Sequence, residues 1–222
     1  MKSIFIWWDR NFKERFQEQL LNALLEILRL SEDFSDRFNI INLGNFLSSD
    51  RMNENADWYF DSSFDPQRNQ VNASSILDKC AQNYMSRQIP QMYVIGTSHD
   101  LWNGAPTNGF VFGWTTIGFA TIISCNRMPR YGSDALSVYL VLALHENAHL
   151  FRAPDETRGR DLDYCLGAHC RLTDCALGQM NVRGRPNALA ATKRVLERHQ
   201  RTVNWFCDEC TTDIVMGKQK LV

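Results

Sequence analysis

His145-Glu146-Asn147-Ala148-His149 is the stretch that decides the fold prediction, because its two histidines are four residues apart in a segment with helical character. On a helix such residues lie on one face, so both imidazoles can bind one metal ion, with Glu146 beside it as a general base. A mostly apolar run, residues 135–144, precedes the motif and predicts a buried helix capped by Ser133 or Asp134. This pattern is typical of zinc hydrolases.

A second group of metal-ligating residues follows this helix. His169 is joined directly to Cys170, Cys175 follows four residues later, and Cys207 and Cys210 form a CxxC pair. Thiols in two closely spaced pairs suit a tetrahedral structural zinc site. We therefore predict a structural zinc site, with unpaired core thiols as the alternative.

The order of these residues resembles the archaemetzincins, a branch of the metzincin zinc peptidases, over roughly residues 90–215. That family has an HExxH helix, a histidine fused to a cysteine, a further cysteine, a nearby methionine and a CxxC. The matching positions here are His145, Glu146, His149, His169, Cys170, Cys175, Met180, Cys207 and Cys210. Upstream, residues 92–97, 99–102 and 108–113 resemble the strand and loop before the substrate-binding edge strand of the family.

This resemblance implies an α+β, metzincin-like fold with a mixed twisted β-sheet, an active-site helix and a C-terminal zinc-binding subdomain. It also implies two zinc ions, one catalytic and one structural, and hydrolysis of peptide bonds by a zinc-activated water with Glu146 as general base. A peptide or protein substrate would lie along an edge strand, for which the resemblance indicates residues 113–124. We predict one domain over residues 1–222, with parts at about 1–155 and 156–222.

The third ligand of the catalytic zinc is open between two residues. The family pattern HExxHxxGxxH would place Arg152 at the glycine and Asp155 at the third histidine, whereas His169 follows a longer stretch, residues 156–167. We favour His169, because the His-Cys junction is intact there and because Arg152 is poorly suited to a turn with positive φ. Met180 is expected either beneath the zinc or as an ordinary core methionine.

Two other functions fit the same residues. A zinc-stabilised, catalytically inactive binding protein would result if Arg152 or residues 156–167 blocked the cleft. A zinc amidohydrolase would instead act on small amides. Resemblance at the level of the fold does not decide the substrate.

Composition limits the expected partners and compartment. The 222 residues are 44% hydrophobic, which is enough for a substantial core, and the net charge of −1 gives no basic surface for nucleic acid. No apolar run reaches the roughly 18 residues of a membrane span. Seven cysteines, with Cys80, Cys125 and Cys165 outside the predicted zinc site, do not form a secreted disulfide framework, so a cytoplasmic location is expected. The sequence does not indicate an oligomeric state.

Hydrophobic periodicity predicts alternating strands and helices. Strands are expected at residues 3–8, 37–43, 92–96, 110–113 and 116–124, and helices at 12–30, 73–87 and 187–203. Residues 48–70 are expected to be a polar, irregular connection. His99 and His199 are expected to be solvated and not to bind metal.

Overall fold

The computed structural model describes residues 2–30, 37–49, 52–85, 91–105, 109–164, 167–179, 181–182 and 185–221. The helices in these ranges are α1 (Glu14–Arg29), α2 (Asp57–Asp61), α3 (Ala73–Met85), α4 (Ala135–Leu150), α5 (Ala188–Thr202) and α6 (Asp208–Leu221). The strands are β1 (Lys2–Trp8), β2 (Phe38–Gly44), β3 (Phe46–Ser49), β4 (Met52–Asn55), β5 (Phe64–Asp65), β6 (Gln70–Asn72), β7 (Gln91–Thr97), β8 (Leu101–Trp102), β9 (Gly113–Thr116), β10 (Ala120–Ser124), β11 (Leu162–Asp163), β12 (His169–Cys170), β13 (Asn181–Val182) and β14 (Arg185–Pro186). Two 3-10 helices span Met128–Asp134 and Glu156–Asp161.

A mixed sheet organises the described residues, with strand order β2-β1-β7-β10-β9. The first four strands in this order run parallel, and β9 pairs antiparallel with β10 at the edge. Parallel neighbours need long crossover connections, and α1 lies in the one between β1 and β2. The predicted α+β fold with a mixed sheet is confirmed.

Alternate side chains of the central strands enter two cores, one on each face of the sheet. Ile4 and Ile6 of β1 belong to the first core with α1, α4 and α5, while Trp7 belongs to the second core with α2 and α3. Each fully buried apolar side chain contributes on the order of 1.5–3 kcal/mol to the free energy of unfolding. The first core draws on both predicted parts of the chain; their division near residue 155 stays a prediction.

The connection over residues 48–70 is more regular than expected. It contains β4, α2 and β5, and Tyr59 and Phe60 of α2 are buried in the second core. The polar residues around them mask this short apolar pair in the sequence, so the prediction of an irregular connection is wrong.

The predicted strands at 110–113 and 116–124 also need correction. Val111 forms only an isolated bridge with Leu101, and the strand begins at Gly113. Residues 117–119 form a turn with Gly118 at φ 72°, which separates β9 from β10. On this side of the sheet the edge strand is therefore β9, opposite the β2 edge, and β10 lies between β7 and β9.

Helix α4 carries the histidine motif through the first core. Val138, Leu142 and Leu144 are among its buried residues, as the apolar run predicts. The predicted N-terminal cap is wrong, because a 3-10 helix containing Ser133 leads directly into α4. Asp134, at the N-cap position, has helical φ and ψ and makes no side-chain cap hydrogen bond.

Helix α6 is fastened to the first core by a buried lysine. The Lys218 side chain is fully buried, and its Nζ donates hydrogen bonds to the carbonyls of Ile27 (3.2 Å) and Leu28 (3.1 Å) near the end of α1. A cation at this end of a helix also interacts favourably with the helix dipole. Burial lowers the pKa of Lys218 to about 8. None of the helices in the described residues combines the length and apolar character needed to cross a bilayer.

Candidate functional site

Three histidines converge beside the sheet. His145 and His149 lie one turn apart on α4, and His169 reaches them from β12. One ring nitrogen of each histidine lies within 4.8 Å of the others. The Nε2 atoms of His145 and His149 are only 3.1 Å apart. The structure thus brings together the three histidines that the sequence singled out.

Backbone carbonyls fix the tautomer of all three rings. The Nδ1 atoms of His145, His149 and His169 donate to the carbonyls of Ala176 (2.9 Å), Ala153 (2.8 Å) and Gly167 (3.0 Å) respectively. A carbonyl can only accept, so each Nδ1 carries the proton and each Nε2 keeps its lone pair. Two lone pairs 3.1 Å apart repel each other unless a cation lies between them. The arrangement fits a zinc ion, whose histidine ligands are usually oriented in this way.

Burial keeps these imidazoles neutral. It lowers the pKa of His145 well below its usual value, with further lowering by His149 and His169. It lowers the pKa of His149 to about 3, again reinforced by His169, and it lowers the pKa of His169. Only neutral imidazole can ligate a metal, so the rings are ready to bind one at physiological pH.

The turn after α4 positions the Ala153 carbonyl that orients His149. The amide of Arg152 donates to the carbonyl of His149 (2.9 Å) and that of Ala153 to Ala148 (3.1 Å), which forms a Schellman motif. Arg152 has a φ of 67°. The expectation that arginine would avoid this conformation is wrong, because the two hydrogen bonds outweigh a local penalty of roughly 1–2 kcal/mol. The carbonyl of Ala153, one residue on, then accepts from His149.

Asp155 has a different role in the structure. Its Oδ1 accepts hydrogen bonds from the amide (2.9 Å) and hydroxyl (2.7 Å) of Thr157, and its Oδ2 lies 3.6 Å from Nζ of Lys220. These contacts cap the 3-10 helix Glu156–Asp161, and the Thr157 hydrogen bonds, followed by Lys220, lower the pKa of Asp155. Among the described residues, the group that could hold a metal with the two α4 histidines includes His169 and not Asp155.

The Glu146 side chain extends from α4 towards the edge strand β9. The hydroxyl of Thr115 on β9 donates to its Oε2 at 2.6 Å. A methyl group placed on the Cα of Gly113 would lie 2.6 Å from Cγ of Glu146, so only glycine allows this approach. Burial raises the pKa of Glu146 to about 7, although the Thr115 hydrogen bond partly opposes the rise. A carboxyl group with this pKa can accept and return a proton near neutral pH.

The four cysteines form a separate, buried group. The sulfurs of Cys170, Cys175, Cys207 and Cys210 lie within 4.8 Å of one another, and the Sγ atoms of Cys170 and Cys207 are 3.8 Å apart. Tetrahedral zinc with Zn–S bonds of about 2.3 Å places its sulfurs about 3.8 Å apart. A disulfide would need about 2.05 Å. The geometry fits a metal held by four thiolates.

Hydrogen-bond donors surround these sulfurs. The amide of Cys207 donates to Sγ of Cys175 at 3.4 Å, and Nη1 of Arg158 donates to Sγ of Cys210 at 3.3 Å. The same guanidinium pairs with Asp213 at 2.6 Å. Hydrogen bonds within the group, led by that of Cys175, lower the pKa of Cys170, whereas those led by Cys170 raise the pKa of Cys210, and the hydrogen bond from Arg158 opposes that rise. Arg158 therefore places a positive charge beside sulfurs that must be negative to bind zinc.

One short segment joins the two groups. His169 precedes Cys170, and Ala176, whose carbonyl orients His145, follows Cys175. The amide of Cys170 also donates to the carbonyl of Leu177 at 2.9 Å, which closes the segment on itself. Two of the three histidines are thus positioned by residues next to the cysteines.

Other candidate residues lie elsewhere. His99 stacks on Phe60 at 5.4 Å, and His199 stacks on Trp205 at 3.7 Å, so neither joins the metal-binding groups. Met180 and Cys165 lie outside the described residues, and the predicted role of Met180 stays a prediction.

Sequence reasoning missed several groups that complete the site. They are Thr115, the carbonyls of Ala153 and Ala176, and Arg158. Backbone carbonyls have no sequence signature. Gly113, at the end of the predicted strand 110–113, was a sequence signal of a close approach.

No protein-family model and no curated protein matches this sequence. Among solved structures, archaemetzincin from Methanopyrus kandleri superposes with a TM-score of 0.60 at 17% identity, covering 99% of this chain and 96% of that one. A zinc-dependent peptidase from Methanocorpusculum labreanum superposes with a TM-score of 0.59 at 20% identity, covering 95% and 99%. The resemblance expected from the motifs is therefore confirmed, and the chain has a fold similar to that of archaemetzincin and of a zinc-dependent peptidase.

Proposed function

We propose that this protein is a zinc-dependent metallopeptidase. In this proposal His145, His149 and His169 hold the catalytic zinc, and Glu146 is the general base. The observation that carries it is the convergence of three Nε2 lone pairs next to a buried carboxylate and an edge strand. The similarity in fold to a zinc-dependent peptidase supports the same conclusion.

The chain supplies the proton transfers. Bound zinc would polarise the scissile carbonyl and lower the pKa of a water ligand towards neutrality. Glu146 removes a proton from the attacking water and delivers it to the leaving nitrogen as the C–N bond breaks. Thr115 holds Oε2 of this carboxylate, which leaves Oε1 to carry the proton. Its pKa of about 7 in the metal-free protein falls when a dication lies nearby, so the base is ionised in the loaded enzyme.

The substrate is proposed to be a peptide or protein segment bound along β9. The outer side of this strand has main-chain groups that no strand of the sheet pairs within the described residues. An extended peptide can add there by β-augmentation, which supplies main-chain hydrogen bonds next to Glu146. A second, structural zinc is proposed at the four cysteines, and a reducing cytoplasm remains the expected compartment.

Zinc content and base replacement test this proposal together. Protein purified without added metal should contain about two zinc ions per chain. Glu146→Gln should keep both ions and lose hydrolysis of peptides by at least about 100-fold. Zinc near zero after reconstitution would contradict the proposal. A zinc-loaded parent that hydrolyses no peptide would point to the inactive binding protein, and one that cleaves only small amides would point to an amidohydrolase.

A further inference from the structure

An arginine supported by aromatic rings lies beside the start of the edge strand. The guanidinium of Arg130 is 5.2 Å from the ring centre of Phe112, 5.8 Å from that of Phe110 and 4.9 Å from that of Tyr131. Its Nη2 also donates to the hydroxyl of Tyr131 at 2.8 Å. We call these four residues the Arg130 cluster. The rings restrict the guanidinium without neutralising it.

The charge of Arg130 is available to a ligand. The residue is exposed, and no acidic side chain among the described residues forms an ion pair with it. The charge of Arg127, by contrast, is neutralised. Its guanidinium also lies over Phe110, 3.6 Å from the ring centre, but it forms two hydrogen bonds to Asp100, at 2.6 and 2.7 Å. Arg127 therefore uses its guanidinium donors on Asp100, whereas Arg130 keeps donors that can bind a ligand.

The Arg130 cluster lies within reach of the proposed catalytic centre. Phe112 directly precedes Gly113, whose Cα abuts Glu146, and its ring packs against the first core, which contains α4. From the Glu146 carboxyl group through Gly113 and Phe112 to the guanidinium is no more than about 17 Å, from the close approach at Gly113, a Cα spacing of about 3.8 Å, the length of the Phe112 side chain and the observed ring distance. About five residues of extended peptide span that length.

The direction of β9 decides which part of a peptide reaches the cluster. β9 runs from Gly113 to Thr116, so a peptide added antiparallel to it has its C-terminal side towards Phe112. Antiparallel pairing is the more stable arrangement. The C-terminal side of the scissile bond would then extend towards Arg130.

We propose that the Arg130 cluster is a substrate subsite that binds a carboxylate on the C-terminal side of the scissile bond. This inference rests on the proposed peptidase function and names its substrate class as short or acidic peptides. The planar guanidinium can pair with both carboxylate oxygens at once, and the aromatic rings below it hold the orientation. The carboxylate comes either from the peptide C-terminus or from an aspartate or glutamate side chain.

Binding to an inactive, zinc-loaded protein tests the subsite without relying on turnover. In the Glu146→Gln background, calorimetry would compare three pentapeptides: one with a free C-terminus, one amidated, and one amidated with glutamate as its last residue. The free acid should bind about tenfold more tightly than the neutral amide. Adding Arg130→Gln should bring this ratio close to one. Arg15→Gln is the matched control, because Arg15 is also exposed and lies 5.0 Å from a phenylalanine ring, on α1; it should keep the ratio.

Each result has a distinct meaning. Tight binding of the glutamate amide would identify a side-chain carboxylate as an accepted source, and preference for the free acid alone would identify the C-terminus. Peptide binding without any preference, or a preference that survives Arg130→Gln, would overturn the subsite while leaving the proposed function intact. Failure of all three peptides to bind the zinc-loaded protein would overturn the subsite and the proposed peptide-binding edge together.

Discussion

Removing one cysteine should weaken metal binding at the histidine site. Cys210→Ser removes a sulfur from the cysteine group at the start of α6, and Cys210 adjoins none of the residues that touch the histidines in sequence. The most direct route from this change to the catalytic metal is the shared segment between Cys170 and Leu177. That segment positions His169 directly and His145 through the carbonyl of Ala176.

The expected magnitude follows from the number of histidines affected. Loss of one orienting partner typically lowers metal affinity 10- to 100-fold. Only His145 has its orienting carbonyl, that of Ala176, in the shared segment, because His169 is oriented by Gly167, so the zinc affinity of the histidine site should fall by about 10- to 100-fold. This corresponds to roughly 1.4–2.7 kcal/mol of binding free energy.

Chelator competition on the purified variant would measure that affinity, with zinc per chain from elemental analysis. Cobalt substitution would separate the sites, because only the cysteine site gives thiolate-to-cobalt charge-transfer absorption. Cys80→Ser is the control, since Cys80 is a buried free thiol in the second core. It should leave both metals in place.

One result would refute the reasoning. If folded Cys210→Ser protein, verified by circular dichroism, lost the cysteine-bound metal yet kept the affinity of the histidine site within threefold, the two sites would be independent. The shared segment would then be held by packing alone.

Four further predictions follow from the site and its surroundings. His169→Ala should lose the catalytic zinc while keeping the cysteine-bound one, as elemental analysis would detect. Gly113→Ala should lower kcat/KM about 100-fold with zinc retained, because the new methyl group would displace Glu146. In metal-free protein, the pKa of Glu146 is raised from 4.5 to about 7, so the folded state binds more protons than the unfolded state between these values and stability falls as pH rises through them. Glu146→Gln should therefore raise the free energy of unfolding at pH 8 by about 2–3 kcal/mol, measured by urea denaturation with chelator present. The pKa of Lys218 is lowered from 10.5 to about 8, so stability should rise with pH between these values, and Lys218→Met should abolish that rise.

Contrary results are equally specific. Unchanged zinc content in His169→Ala would shift the third ligand to Asp155. Full activity of Gly113→Ala would exclude Glu146 as the base in its observed position. Equal stability of parent and Glu146→Gln protein at pH 8 would mean that the Glu146 carboxylate is well solvated. If the free energy of unfolding of the parent did not change between pH 8 and 10.5, the Lys218 ammonium group would be well solvated.

The residues of the two candidate metal sites could be predicted from the sequence because metal chemistry restricts both residue type and spacing. His145 and His149 needed only a helix, and His169 was found through its junction with Cys170. The edge strand was harder, since β-branched residues run through both β9 and β10, and only Gly118 marks the turn between them.

Some features could not be predicted because they depend on backbone groups or on distant residues. The positive φ of Arg152 comes from a Schellman motif at the end of α4, which outweighed the local preference of arginine. The fixed histidine tautomers depend on carbonyls that any residue would supply. The sequence predicts that Lys218 is an ordinary surface lysine, because its partner in α1 lies nearly two hundred residues earlier.

The segment shared by the cysteines and histidines also affects when activity can arise during synthesis. Ribosomes release the chain from its N-terminus at roughly 5–20 residues per second, so α4 emerges several seconds before Cys210. Until Cys207 and Cys210 arrive, the segment carrying His169 has only half of its sulfur ligands. A nascent chain would thus expose its histidine motif without a competent catalytic centre. The proposed peptidase would become active only after residues 207–210 had left the ribosome, so a nascent chain that ended before them could not cleave its neighbours.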